Sequence, residues 1–296
     1  MLRREVTMRN SLLATAFVIL GVFLWGCPEP IPAPPSPDVS ASGVYVNIQV
    51  DAEGQNAQGV NDMIAELQAR DMHTTVFVSG EFANANALAV SALARSGFEI
   101  ALHGYKTGEQ LATMAYEDQK TLLTNAKKAV QGCAPCGTYV PIVGFRPQFF
   151  SQNEDTYRIL AELGIAWNSG FKAGIEPMIA GHEQDVAPYP VHGDGYDFYA
   201  VPISTVEFNG KRIYLCDMAC VQAEKMTAEQ WAQALDAGLT EALQAKQPLV
   251  VLLHGMITGD RTQYTYWQPF VDFLDKVLAT ESVVVTTSQL VDLYKK

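Results

Sequence analysis

The stretch Val44-Tyr45-Val46-Asn47-Ile48-Gln49-Val50-Asp51-Ala52-Glu53 decides the fold. Its alternation makes it a β-strand with Val44, Val46, Ile48 and Val50 on one face and Tyr45, Asn47, Gln49 and Asp51 on the other. Parallel strands covered on both sides usually read apolar on both faces, so a polar face here is unusual. The C-terminal end, Gln49 to Glu53, is where α/β barrels place their chemistry. Further apolar runs at 73–79, 98–102, 141–145, 165–168, 248–253 and 282–286 predict strands. Between them, helical spacing predicts helices at 58–70, 84–96, 116–131, 153–163, 227–245, 267–279 and 287–294. This β-then-α order predicts an α/β fold of mostly parallel strands with helices outside. The interval 171–220 breaks the rhythm with two β-like pieces at 197–203 and 211–216, and reads as an insertion or irregular crossover.

Outward from that domain, the N-terminus has a different character. Arg3, Arg4 and Arg9 precede an uncharged apolar run from Leu12 to Trp25, which fits a secretory signal better than a membrane span. Leu24-Trp25-Gly26-Cys27 is similar to a bacterial lipobox with Cys27 as the lipidated residue, the alternative being an uncleaved N-terminal anchor with an incidental cysteine. The expected organisation is a lipoprotein-type signal peptide over 1–26, a Pro-rich linker over 27–42 and one domain over 43–296. That places the domain outside the cytoplasm, lipid-anchored to a bacterial membrane facing the periplasm or the cell surface.

The 296 residues are 48% hydrophobic, which excludes a disordered chain, and their mean hydropathy of +0.04 excludes a multi-span membrane protein. A formal charge of −12, from 20 Lys+Arg against 32 Asp+Glu, argues against nucleic acid as a partner. Four cysteines follow Cys27, namely Cys133, Cys136, Cys216 and Cys220. In an oxidising compartment structural disulfides are the first expectation, with a redox-active pair or a zinc site as alternatives.

Chemistry-bearing residues recur at strand ends. His103 ends the run Phe98-Glu99-Ile100-Ala101-Leu102, and Gly144-Phe145-Arg146-Pro147 closes another strand with a cation and a rigid turn. Val250-Val251-Leu252-Leu253 again ends in a histidine, His254. One such histidine is ordinarily structural, but Asp51, His103, Arg146 and His254 at four strand ends of one domain point to a shared site.

These residues, with Gly144-Phe145-Arg146-Pro147-Gln148-Phe149, Asn153-Glu154-Asp155-Thr156 and Leu160-Ala161-Glu162-Leu163-Gly164, make the chain resemble the polysaccharide deacetylase family. The resemblance is to the NodB-homology domain of carbohydrate esterase family 4 and runs from about Val44 to Leu290. It implies a distorted (β/α) barrel of about seven parallel strands. It also implies a divalent metal, zinc first, that activates water against an acetyl group of polysaccharide or peptidoglycan. By the same resemblance Asp51 is a catalytic base or metal ligand, His103 a metal ligand, Arg146 the residue that orients the base, and His254 the acid. Phe149, Phe150 and Gln49 are expected to contact substrate, the Phe149 N–H at the oxyanion.

The sequence also departs from the family. Ala52 stands where a second motif aspartate is expected, or Val50 does if Asp51 is the ligand, and Thr107 replaces the second metal histidine. Glu53, Glu109, His182 or His192 could supply the missing ligand or base from a loop, with Glu53 the leading candidate. A chain without that ligand would instead bind glycan without turnover, using Phe149, Phe150 and Trp167.

Overall fold

The computed structural model describes residues 43–133 and 141–295. The predicted signal, the linker, Cys27 and Cys136 lie outside the described residues. In chain order the elements are β1 (Tyr45–Ala52), α1 (Gln58–Ala69), β2 (Thr75–Val78), α2 (Gly80–Ala85), α3 (Ala87–Arg95), β3 (Glu99–Leu102) and α4 (Tyr116–Gln131). Then come β4 (Gly144–Phe145), α5 (Glu154–Glu162), β5 (Trp167–Lys172), β6 (Tyr189–Gly193), β7 (Tyr196–Ile203), β8 (Thr205–Phe208) and β9 (Lys211–Tyr214). The chain closes with α6 (Asp217–Gln222), α7 (Ala228–Ala245), β10 (Leu249–His254), α8 (Trp267–Leu278), β11 (Val283–Val284) and α9 (Thr287–Tyr294).

The main sheet runs β10-β1-β2-β3-β4-β5-β7 with every neighbouring pair parallel, and β6 adds antiparallel to the outer side of β7. The sheet curls, and its β7 and β10 sides are joined by Ser204 N–H donating to the Val250 carbonyl (3.0 Å) and Leu252 N–H to that of Leu215 (2.9 Å). A parallel bridge pairs Cys216 with Leu252. This is the expected α/β arrangement of NodB type.

Two strand expectations are corrected. The piece at 197–203 is β7, a full member of the parallel set, so 171–220 is part of the frame and not an insertion beside it. Its Val201 and Ile203 face the inside of the curled sheet with Phe77, Trp167, Val250 and Leu252, which is why it belongs there. The run at 282–286 contributes only the two-residue β11, paired with the start of β1. The helix predicted over 84–96 is two helices that meet at Asn86, the first capped by the Ser79 hydroxyl.

The alternation of β1 sorts two environments. Val46, Ile48, Val50 and Ala52 are fully buried against the surrounding helices in the main apolar core. Asn47, Gln49 and Asp51 point inward and are equally buried, so their polar atoms must find partners inside the barrel. They do: Asn47 donates to the Val285 carbonyl (2.8 Å) and Gln49 to Asn47 (2.7 Å) and Thr287 (3.2 Å). The polar face seen in the sequence is thus a hydrogen-bonded column leading up to the strand ends.

Cys216 and Cys220 are free thiols, which corrects the expectation of a disulfide between them, whereas a Cys133–Cys136 pair lies outside the described residues. Cys216 packs inside the barrel with Trp167 and Leu252, whereas Cys220 packs outside it with Trp231 and Leu235. The two side chains point away from each other, a geometry that no disulfide spans.

Candidate active site and metal centre

Register brings the strand-end residues to one level. Asp51 pairs directly with His254 across β1 and β10, and with Phe77 across β1 and β2. Leu102 pairs with Phe145, which sets His103 beside Arg146. Backbone bonds continue past the strands, from His103 N–H to the Val78 carbonyl (3.1 Å) and from Arg146 N–H to that of Leu102 (3.0 Å). Gly104 then turns the chain at φ +71°, where an added Cβ would stand 2.6 Å from the Glu109 carboxylate.

At the centre lies the buried carboxylate of Asp51. Its Oδ1 accepts from the Arg146 guanidinium, Nε at 3.1 Å and Nη2 closer still. Its Oδ2 lies 3.4 Å from His103 Nε2 and 3.5 Å from His254 Nε2. Arg146 is buried over the Phe77 ring, 3.7 Å from its centroid, and also donates to the Gln49 side-chain oxygen. Ser169 donates to that same oxygen at 2.9 Å. Gln49 is therefore not a substrate contact: it is wholly buried beneath Arg146 and holds it in place.

Glu53 reaches the same point. Its Oε1 is 3.2 Å from His103 Nε2, and the Thr107 hydroxyl bonds its carboxylate. Burial pushes the Glu53 carboxyl up, but the hydrogen bond and charge of His103, the charge of His254 and the Thr107 hydroxyl together hold it at about 2. His103 Nδ1 bonds the Arg146 carbonyl at 2.9 Å, so Nδ1 carries the proton and Nε2 is the nitrogen turned to the carboxylates. Burial opposes charge on this imidazole, yet the charge of Asp51, with the bond and charge of Glu53, raises its pKa.

Asp51, Glu53 and His103 fit a divalent metal. Their donor atoms all lie within 4.8 Å of one another. Donors about 2.1 Å from a tetrahedral metal stand roughly 3.4 Å apart. The His103 separations of 3.2 Å to Glu53 and 3.4 Å to Asp51 match that edge. Alternation explains the set: Asp51 and Glu53 share the inner face, while Ala52 between them faces the core. The absent carboxylate at position 52 thus opens no gap in the site. Glu109, by contrast, is spent on the backbone N–H groups of Tyr105 and Lys106. His182 pairs with Asp185 and His192 with Asp197, and neither lines the cleft described below.

His254 has a different partner, Asp217, which the sequence reading missed because its segment was read for its cysteines. Asp217 is fully buried at the first turn of α6. Its Oδ1 accepts from His254 Nδ1 (2.6 Å) and Met218 N–H (2.7 Å). Its Oδ2 accepts from His254 N–H (2.8 Å) and from the Thr258 hydroxyl (2.7 Å) and N–H (3.2 Å). Burial pushes the His254 pKa down, but the charge and hydrogen bond of Asp217, then the charges of Asp51 and Glu53, lift it to about 9. Cys216, Asp217 and His254 also lie close enough to hold an ion, but five donors already occupy the Asp217 oxygens. This cluster orients an imidazole, leaving Nε2 toward Asp51.

Above these groups opens a cleft of about 320 Å³, lined on its walls by Phe149, Phe150, Lys172, Tyr214 and Met256. Phe149 and Phe150 both adopt left-handed backbone (φ 54° and 55°), costly for aromatic residues and typical of functional turns. Phe149 is 62% exposed at the cleft wall, and Phe150 packs edge-on against Tyr214. Trp167 lies in the interior core, its indole donating to Ser288 at 2.9 Å, and takes no part in the cleft. Among the described residues no helix is long and apolar enough to cross a membrane.

Comparison with known proteins agrees with this geometry. Residues 44–167 match the family model described as polysaccharide deacetylase. No curated protein matched the chain. Among solved structures, a protein assigned as a polysaccharide deacetylase from Mycobacterium smegmatis is 19% identical with a TM-score of 0.68, over 88% of this chain and 93% of that one. A PuuE allantoinase is 14% identical with a TM-score of 0.70 over the same shares. A mutant of a carbohydrate esterase family 4 pseudoenzyme with restored activity is 13% identical with a TM-score of 0.53, over 84% of this chain and 68% of that one. At such identities the structural likeness speaks for the fold alone. Residues 44–167 thus carry the polysaccharide deacetylase match, in a chain whose fold is like that of solved polysaccharide deacetylases.

Proposed function

We propose that this chain is a metal-dependent hydrolase that removes acetyl groups from an acetylated polysaccharide or peptidoglycan of the cell envelope. In this reading Cys27 anchors it by lipid to a bacterial membrane and residues 27–42 space the domain from the surface. One observation carries the proposal: Asp51, Glu53, His103, Arg146 and His254 converge on a single cleft. Asp51, Glu53 and His103 would hold the metal, which when bound supplies Lewis acidity and a more acidic water. With Asp51 Oδ2 given to the metal and Oδ1 held by Arg146, the Glu53 oxygen not given to the metal takes the proton of the attacking water. The water oxygen bonds the acetyl carbon, and the C–N or C–O bond to the sugar breaks. His254 Nε2 gives its proton to the leaving nitrogen or oxygen, and Asp217 steadies the imidazole throughout. The Phe149 N–H is the oxyanion donor that the resemblance implies.

The test is elemental analysis together with acetate release from acetylated chitooligosaccharides, peptidoglycan and acetylxylan. Stoichiometric metal and acetate, both lost in Asp51→Ala, support the reading. A second reading, glycan binding without turnover, draws support from Thr107 at the place of the family's second histidine. Calorimetric binding of chitooligosaccharide by metal-loaded protein that releases no acetate would favour it.

A further inference from the structure

The cleft holds a cation that the chemistry above does not use. Lys172 ends β5 and is half-buried in the wall, its Nζ 4.4 Å from the Tyr214 ring centroid and 4.9 Å from that of Phe150. The other permanent cation of the cleft, Arg146, is consumed by Asp51 and Gln49. Among the described residues no carboxylate comes within ion-pair distance of Lys172, whereas lysines 120, 211, 276 and 295, outside the cleft, each have one. Glu176 acts on it only through space, and burial pushes its ammonium below the ordinary lysine range.

Two aromatic faces stabilise such an ammonium without neutralising it. They leave its charge available to a third partner entering from the cleft. The chain as a whole carries −12, so it repels anions at long range. A lone cation inside the cleft therefore acts at short range, on a group already bound. One ammonium without backbone donors or an arginine fork suits a monoanion better than a phosphate.

We propose that Lys172 is a specificity-determining residue that selects a glycan carrying a carboxylate, of the uronic-acid kind, beside the acetylated sugar. This rests on the deacetylase reading of the same cleft. The experiment uses the zinc-loaded full chain, its Lys172→Met variant and its Lys172→Arg variant. Each receives a neutral N-acetylglucosamine tetramer, an oligosaccharide alternating N-acetylglucosamine with glucuronic acid, and the same tetramer bearing a phosphate. Acetate release and calorimetric affinity are both measured.

The native chain should favour the uronate over the neutral oligosaccharide by about ten-fold or more, a preference that shrinks with added salt. Lys172→Met should bring the ratio to about one, and Lys172→Arg should restore most of it. Equal handling of the two by the native chain, a ratio unmoved by Lys172→Met, a stronger preference for phosphate, or no binding of either overturns the proposal. The uronate preference in binding, lost in Lys172→Met, sustains it even without acetate release, an outcome that removes only the deacetylase reading.

Discussion

Two acid–imidazole clusters face each other across the mouth of the barrel, and they are built to different ends. On the β1 and β3 side, His103 meets two carboxylates whose oxygens keep lone pairs facing the cleft. On the β10 and α6 side, His254 meets one carboxylate whose two oxygens accept five hydrogen bonds. Both carboxylate sets are buried and both imidazoles are pulled toward the charged form. What separates them is saturation. An acid with open lone pairs can bind a metal or take a proton, while a saturated one can only hold its partner still.

The comparison breaks most visibly if the wrong face of β1 supplies ligands. Ala52→Asp would push an unpaired carboxylate into the outer apolar core, at a cost of several kcal/mol. A large fall in melting temperature with no gain in zinc affinity is expected. A folded variant that binds zinc more tightly would overturn the assignment of Glu53 over position 52. Next in size, Glu53→Gln and His103→Gln should each weaken zinc binding by more than the roughly 100-fold that outer-layer changes cost. Competitive chelation reads this directly, and native affinity in either variant would refute the open cluster.

The closed cluster predicts a different signature. Asp217→Asn should keep its zinc yet lose about 10²-fold in acetate release, because the acid loses its support. Breaking the buried pair should also cost on the order of 3 kcal/mol near neutral pH. The sign follows from the raised pKa of His254. Its contribution to stability is complete below the ordinary value of 6.5 and fades as the pH climbs through about 9. Denaturant melts from pH 6 to 10 should show that decline in the native chain and a flatter profile in Asp217→Asn. Zinc loss in this variant would erase the distinction between the clusters. The smallest change expected is a gain: Thr107→His should tighten zinc on the order of ten-fold by adding an imidazole to the open set. Unchanged affinity would mean that the loop at Thr107 does not reach the metal.

How far the molecule is legible in its sequence depends on whether a feature is local. The period of β1 was enough to assign its two faces, and the strand-end rule was enough to gather Asp51, His103, Arg146 and His254. Ala52 looked like a lost ligand only because the comparison ran residue by residue; the pleat, which sends neighbours to opposite faces, makes Glu53 the relevant position. Gln49 looked accessible because it lies two residues from Asp51, yet the inward face below the strand end is sealed by Arg146. Asp217 carried little local signal, since an acid in the first turn of a short helix is ordinary.

By itself, then, the sequence determined the alternating α/β frame and the end of the sheet where Asp51, His103, Arg146 and His254 line one cleft, because periodicity and strand-end placement are properties of neighbouring residues. Only the tertiary structure decided that β7 joins the parallel set, that Cys216 and Cys220 point to opposite sides of it, and that His254 is held by Asp217. Those facts depend on contacts between segments dozens of residues apart, where packing and hydrogen-bond saturation choose among partners that local pattern leaves equal.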